Sequence, residues 1–271
     1  MLYLFLWIFF VYAFLGWCTE VSYAALVTGK FVNRGFLNGP VCPVYGFGVV
    51  IVLGALTPLA DNLLILFVGS VVLTSILEWL TGFVLEKLFH QRWWDYSDQP
   101  FNLSGYICLR FSIAWGFACM FVVKLLHPTI LGLIWLIPHL MGVILLLLLG
   151  AVMAVDLAAT VATIIKLNRR LAQIDELAAK IKEASNEFGE NLADKVLDAV
   201  ERGAARKEER DERRAQAKLQ LEEWHAAMQE LLERESFGHR RLLKAFPRLR
   251  SLDHGSALER LRHQVGNLRK R

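Results

Sequence analysis

No Gly-x-x-x-x-Gly-Lys-Ser/Thr phosphate loop occurs anywhere in this 271-residue chain, so an ATP-driven activity would need a separate ATPase chain. His-Glu-x-x-His and Cys-x-x-Cys are missing as well. The four cysteines (Cys18, Cys42, Cys108, Cys119) have no metal-ligand spacing, and the expectation is no cofactor, no metal and no disulfide. Seven histidines are scattered without ligand spacing, and no Ser or Cys nucleophile stands near an evident base, which leaves an enzyme unsupported. Charge is scarce in the first 165 residues, which hold six Lys/Arg and seven Asp/Glu. The remaining 106 carry 24 of the 30 basic and 19 of the 26 acidic residues. A boundary near Lys166 therefore divides a transmembrane helical domain, 1–165, from a cytoplasmic helical tail, 166–271.

What the first domain does have is apolar length. Crossing about 30 Å of hydrocarbon takes about 20 helical residues. Five runs approach that length: Leu2 to Val27, Tyr45 to Ala60, Leu63 to Leu85, Ile107 to Leu126 and Leu133 to Ile165. The second is short enough to be partly re-entrant. The first lacks a basic n-region and a small-residue cleavage site, so it reads as a retained helix. The fold class is all-α, a polytopic membrane protein of about five transmembrane helices with a charged helical, coiled-coil-like tail. Lys30, Arg34, Lys87, Arg92, Arg110 and the Lys166, Arg169, Arg170 group all fall on one side of such a bundle. Short cytoplasmic loops collect Lys and Arg, so the expected placement is the inner (plasma) membrane, N-terminus outside and C-terminus in the cytoplasm.

Three lone carboxylates sit inside the apolar runs. Glu20 precedes Lys30 by ten residues, Glu78 precedes Lys87 by nine and Asp156 precedes Lys166 by ten. At about 1.5 Å per residue they share one level, roughly 13 to 15 Å from the inner boundary. Charges at that depth are expensive and mark a pathway, a pairing site or a packed polar junction. Each lies in a small or polar stripe at helical spacing, such as Tyr12, Gly16 and Glu20, which turns it toward a bundle interior. Two readings stay open here: an acidic cavity facing the cytoplasm, or structural pairing with groups such as Arg34 and Arg110.

The cytoplasmic connections carry the other candidates. Residues 30–48 place four glycines and two prolines among apolar residues, so they form neither a continuous helix nor a plain solvated linker. Asn33, Arg34 and Asn38 supply polar groups there, either lining a substrate path or plugging the inner face. Residues 91–110 combine Trp93, Trp94, Tyr96 and Tyr106 with Asp95, Asp98 and Asn102. The aromatics suit an interfacial belt, and the acids and Asn102 suit a polar ligand.

These two segments also carry a resemblance. Gly16-Trp17 with Glu20, then Asn33-Arg34-Gly35-Phe36-Leu37-Asn38-Gly39-Pro40 with Cys42-Pro43-Val44-Tyr45-Gly46, and later Trp94-Asp95-Tyr96-Ser97 with Asn102-Leu103-Ser104-Gly105-Tyr106-Ile107, resemble the bacterial membrane family described as ABC-transporter type IV. The resemblance covers roughly the first 165 residues and implies a permease-like role. It brings no catalytic residues with it.

The tail opens with a helical seam, Leu167, Leu171, Ile174, Ala178, Ile181 and Phe188, with breaks expected at Gly189 and Gly203. A charged run from Glu201 to Lys218 reads as solvated helix. The last 36 residues hold ten Lys/Arg against two acids, and Arg240, Arg241, Lys244, Arg248 and Arg250 alternate with apolar residues. A basic amphipathic segment tethered beside the inner leaflet is suited to anionic lipid or an acidic protein partner, and nucleic acid is disfavoured by the tether.

Three functions fit these features. The first is a transport component, a permease-like subunit with Glu20, Glu78, Asp156 and Arg34 around a cytoplasm-facing cavity, which would pair with a separate ATPase or other cytoplasmic protein and form a homodimer. The second is a membrane scaffold or regulator acting through the tail. The third is a headgroup-modifying enzyme using Arg34, Asp95 and Asn102.

Overall fold

The computed structural model describes residues 1–198, 207–234 and 237–267. The expected charged helix from Glu201 to Lys218 and the expected break at Gly203 lie partly or wholly outside them, as does the side chain of Phe188. The protein is all-α with short strand pairs. Among the described residues four helices are long and apolar enough to cross a membrane: Leu2–Thr28, Leu63–Phe89, Leu109–Trp135 and His139–Asn186. A shorter apolar helix, Pro43–Leu59, accompanies them.

The chain divides into two compact units, Met1–Ile164 with Phe237–Leu252, and Ile165–Ser236 with Asp253–Arg271. In the first, α1 (Leu2–Thr28) packs against α2 (Pro43–Leu56), and α2 against α3 (Leu63–Phe89). Asn62 caps α3, its side chain accepting from the backbone N–H groups of Leu64 and Ile65. Close approach of α1 and α2 depends on missing side chains. A Cβ on Gly46 would meet the Phe9 carbonyl oxygen at 2.5 Å, and one on Gly16 would meet the Tyr45 ring at 2.3 Å. The core between these helices includes Trp7, Ile8, Phe10, Tyr12 and Leu53.

The second expected span is a half-helix. Residues 31–42 are non-helical, with bends over 36–40, and the chain turns helical at Pro43, which occupies the first turn where its missing N–H is not needed. The Cys42 N–H donates to the Ala13 carbonyl at 2.9 Å, fifteen residues before the end of α1. At 1.5 Å per residue the non-helical segment thus descends about 22 Å along α1 before α2 begins.

Two boundaries differ from the expected ones. The fourth span begins at Leu109, because Ile107–Cys108 form strand β3 paired with β2 (Asn102–Leu103). It then runs on to Trp135 as α4 (Leu109–Phe121), a π-turn (Val122–Leu126) and α5 (His127–Trp135). Pro128, at the start of α5, removes one i−4 hydrogen bond, and a π-turn just ahead of it lets the helix continue where a stop after Leu126 was expected. Leu133 to Trp135 therefore belong to this span, and the last one, α6 (His139–Asp198), starts after Pro138. The break expected at Gly189 is likewise absent, since α6 continues through it. A helical glycine costs only about 1 kcal/mol relative to alanine, which flanking helix formers offset.

A strap returns to this unit from the far end of the sequence. It comprises α8 (Phe237–Ala245) and β4 (Arg250–Ser251), which pairs antiparallel with β1 (Gln91–Arg92). The Leu252 N–H donates to the His90 carbonyl at 3.0 Å, and Leu242, Leu243, Ala245 and Leu249 are buried. In the second unit the α6 residues Leu167, Leu171 and Ile174 are fully buried, and the Arg170 guanidinium donates to the Leu231 carbonyl of α7 (Lys207–Glu233). There α7 packs against α9 (Gly255–Asn267), and Asp175 holds the His254 ring nitrogen at 2.8 Å and accepts from Ser256 Oγ at 2.9 Å.

Candidate functional site

The ends of α1 and α3, the half-helix α2 and the connections 29–42 and 90–108 converge at one end of the bundle. Glu20 lies on α1 one turn beyond Gly16, and the space left by that glycine admits the Tyr45 ring of α2. The Tyr45 hydroxyl donates to Glu20 Oε1 at 2.6 Å, and its ring meets Trp115 edge-on at 5.3 Å. On the other carboxylate oxygen of Glu20, Arg34 Nε stands at 3.6 Å, with its guanidinium 5.5 Å over the Tyr23 ring. From α3, Glu78 accepts from the Tyr96 hydroxyl at 3.4 Å, while its Oε2 is buried without a hydrogen-bond partner. Each of these two acids is tied to a tyrosine that sequence reasoning did not assign to it, Glu20 to Tyr45 and Glu78 to Tyr96.

Asp156 is engaged differently. Its Oδ1 accepts from the Asn38 backbone N–H at 3.0 Å and from Asn38 Nδ2 at 2.7 Å, and its Oδ2 accepts from the Gly39 N–H at 2.7 Å. Asn38 Nδ2 also reaches Thr160 Oγ1 at 3.0 Å. The carboxylate therefore anchors the descending segment to α6. Asn33 pins the same segment: its Oδ1 accepts from Trp17 Nε1 at 2.9 Å and from the Gly35 N–H at 3.0 Å, and its Nδ2 donates to the Asn38 carbonyl at 2.7 Å.

The second connection is organised around Asp95, which is buried. Its Oδ1 accepts from the Ser97 hydroxyl at 2.5 Å and the Ser97 N–H at 2.9 Å, and Arg250 of the strap reaches Oδ2 at 2.9 Å. Burial alone would raise this carboxyl, but Ser97, Arg250 and Arg92 outweigh it and hold it below the ordinary aspartate value. Asn102 closes the turn, donating to the Ser97 and Gln99 carbonyls and accepting from the Gly105 N–H. Ser104 and Gly105 are both left-handed, as the central residues of a type I′ turn must be, and with Tyr106 they make the three-residue loop between the paired Leu103 and Ile107. Asn102 is therefore occupied by its own loop. Burial, with the nearby Glu78 charge, pushes the Tyr96 hydroxyl well above its ordinary value, so it remains a hydrogen-bond donor. Arg110 is exposed.

The cationic candidates of the tail fall on the strap. Arg241 Nη1 donates to the Gly35 and Leu37 carbonyls at 3.0 and 2.9 Å, and Nη2 to the Phe36 carbonyl at 2.9 Å. Arg248 Nη1 donates to the Asp95 carbonyl at 3.3 Å, while Lys244, Arg248 and Arg250 face solvent over much of their surface. Arg240 is half-buried. Around them Trp93 packs edge-on to Phe246 at 4.8 Å and to Phe36 at 5.2 Å. No group of His, Cys, Asp and Glu able to hold a metal ion occurs among the described residues. The return of the strap could not be anticipated from local patterning, because its partners lie 153 to 206 positions away.

Residues 7–161 match the family model described as Putative ABC-transporter type IV. The match covers more than half of the chain, including both glutamates and both connections, and ends before the strap begins. No curated protein and no solved structure matches the chain.

Proposed function

This chain belongs to the ABC-transporter type IV membrane family and is a transport-related membrane protein; from that premise we propose that it is a permease-like subunit whose working site is the Glu20–Glu78 junction, opening to the cytoplasm. The observation that carries the reading is the half-buried Glu78 carboxylate, with one oxygen on Tyr96 and the other buried without a hydrogen-bond partner. A purely structural acid would be expected to have both oxygens satisfied, as Asp156 does, since an unmade buried hydrogen bond costs about 1–3 kcal/mol. The half-helix supports the same reading. Broken helices whose positive N-terminal ends stop inside the bilayer are a recurrent way of building solute sites, and α2 begins beside Ala13 of α1, with the Tyr45 hydroxyl of its first turn reaching Glu20.

The junction suits a cation, a cationic group or a proton, which two carboxylates stabilise and two tyrosine hydroxyls orient. The non-helical segment 30–42 forms its wall, Asp156 and Asn33 fix that wall, and Arg34 balances part of the Glu20 charge. The chain carries no phosphate loop, so coupling to ATP runs through a separate ATPase subunit. The loops bearing Lys30, Arg34, Lys87 and Arg92 face the cytoplasm, with the N-terminus outside.

The decisive variant is Glu78→Gln, tested for transport and for abundance in the membrane fraction. The expected outcome is lost transport with normal abundance. Loss of folded protein instead assigns Glu78 a structural role, because removing one partner of a buried polar cluster then destabilises the bundle.

A further inference from the structure

The descending segment is gripped from two sides. Its carbonyls at Gly35, Phe36 and Leu37 accept from Arg241, and the next two N–H groups, at Asn38 and Gly39, donate to Asp156. One grip is internal to the membrane helices. The other comes from the strap, and its chemistry marks it as reversible. Arg241 is half-buried and its hydrogen bonds go to neutral carbonyls; among the described residues it forms no ion pair, Asp156 acts on it only through space, and its Nε is buried without a partner. The second anchor, Arg250 on Asp95, leaves the Arg250 side chain 68% exposed, and the β1–β4 ladder is only two residues long on each side. A segment with a buried apolar face of Leu242, Leu243 and Leu249 and cations along its length has an alternative place to go. Beside a bilayer, an anionic surface offers those cations counter-charge and the apolar face hydrocarbon.

We propose that Phe237–Leu252 is a strap with two positions: docked, Arg241 clamps the Gly35–Leu37 carbonyls and keeps the segment leading to the Glu20–Glu78 junction closed; released onto anionic lipid, it lets that segment open. The regulatory meaning rests on that junction being the working site, while the movement itself does not. Arg241 is a positioning residue in this scheme, acting through the loop.

Cys42 reports on the loop directly, since it ends the descending segment and is 5% exposed. The experiment uses the full chain with Cys42 as its only cysteine (Cys18→Ser, Cys108→Ser, Cys119→Ser), in nanodiscs of phosphatidylcholine alone or mixed with phosphatidylglycerol, and measures the rate of maleimide labelling. Labelling should be slow in phosphatidylcholine and about tenfold faster with phosphatidylglycerol, in line with a shift between two positions. Arg241→Ala should be fast in both lipids. Arg250→Ala, which touches only the exposed anchor, should also be faster in phosphatidylcholine and decides the matter if Arg241→Ala fails to fold. Equal rates in the two lipids, or a parent-like rate for the releasing variant in phosphatidylcholine, would overturn the proposal. Acceleration by an added acidic protein but not by phosphatidylglycerol overturns lipid as the partner. The two readings separate cleanly: if labelling responds as expected while Glu78→Gln transports normally, the strap stands and the junction loses its role.

Discussion

At the scale of single residues, the Glu20 side of the junction is set by an absence, the missing side chain of Gly16. A Cβ there would stand 2.3 Å from the Tyr45 ring, so Gly16→Ala must push α1 and α2 apart or turn Tyr45 away from Glu20. Overpacking of this kind typically costs about 1–3 kcal/mol. Gly54→Ala, in the same α2 helix but with nothing within 4 Å of its Cβ, is the matched comparison. It should be neutral or stabilising by up to about 1 kcal/mol, as alanine for helical glycine usually is. Thermal denaturation of the two purified variants in detergent checks both, and equal melting temperatures would remove the close fit from the account. The carboxylates themselves are legible in the sequence, because a charge inside an apolar run stands out whatever it touches. Their partners are not. Nothing local to Asp156 says that it holds Asn38, 118 positions earlier, or that Glu78 meets Tyr96 rather than an arginine.

At the scale of elements, long apolar runs with clear ends were readable, and the interruptions were not. Pro43 stands at the start of a half-helix and Pro128 follows a π-turn inside a continuous one, so the same residue type ends nothing in one place and begins a helix in the other. Tertiary packing decides between them. The β1–β4 ladder was illegible for a further reason: two residues on each side carry no periodicity, and distant contacts such as the Asp95–Arg250 pair and the aromatic cluster around Trp93 hold them together. That pair gives the element a pH dependence of known sign. The Asp95 carboxyl is held below its ordinary value, so its contribution is complete above the unfolded-state value near 3.9 and is lost as pH falls through the lower folded value. Hydrogen exchange at the peptide containing Leu249 to Leu252 should therefore be flat from neutral pH down to about pH 5, once corrected for intrinsic rates, and should rise below about pH 4. Asp95→Asn should show raised exchange throughout with no acid step. An acid step retained in that variant would assign the titration to another group.

At the scale of the whole molecule, the arrangement of charge argues for one orientation, and the argument can be made to fail. The descending segment, the hairpin connection and the strap all gather at the end of the bundle where Glu20, Glu78 and Asp156 lie closest to the loops. If that end faced outward, Lys30, Arg34, Lys87, Arg92 and the strap arginines would all have been translocated, against the strong tendency of short basic loops to stay inside. At the opposite end the short connection after α2 carries only Asp61, 4.0 Å from Lys124. Cysteines introduced singly into a cysteine-free chain discriminate the two arrangements. With Asp61→Cys, intact cells should react with an impermeant maleimide, since Asp61 is fully exposed between α2 and α3. With Asp98→Cys, exposed in the hairpin connection, cells should react only after they are opened. The reverse pattern would place the Glu20–Glu78 junction toward the outside, where neither a cytoplasmic ATPase nor the inner-leaflet lipid surface could govern the loop that closes it. Regulation and orientation therefore stand or fall together, whereas the contacts of Arg241 with the Gly35–Leu37 carbonyls hold in either direction.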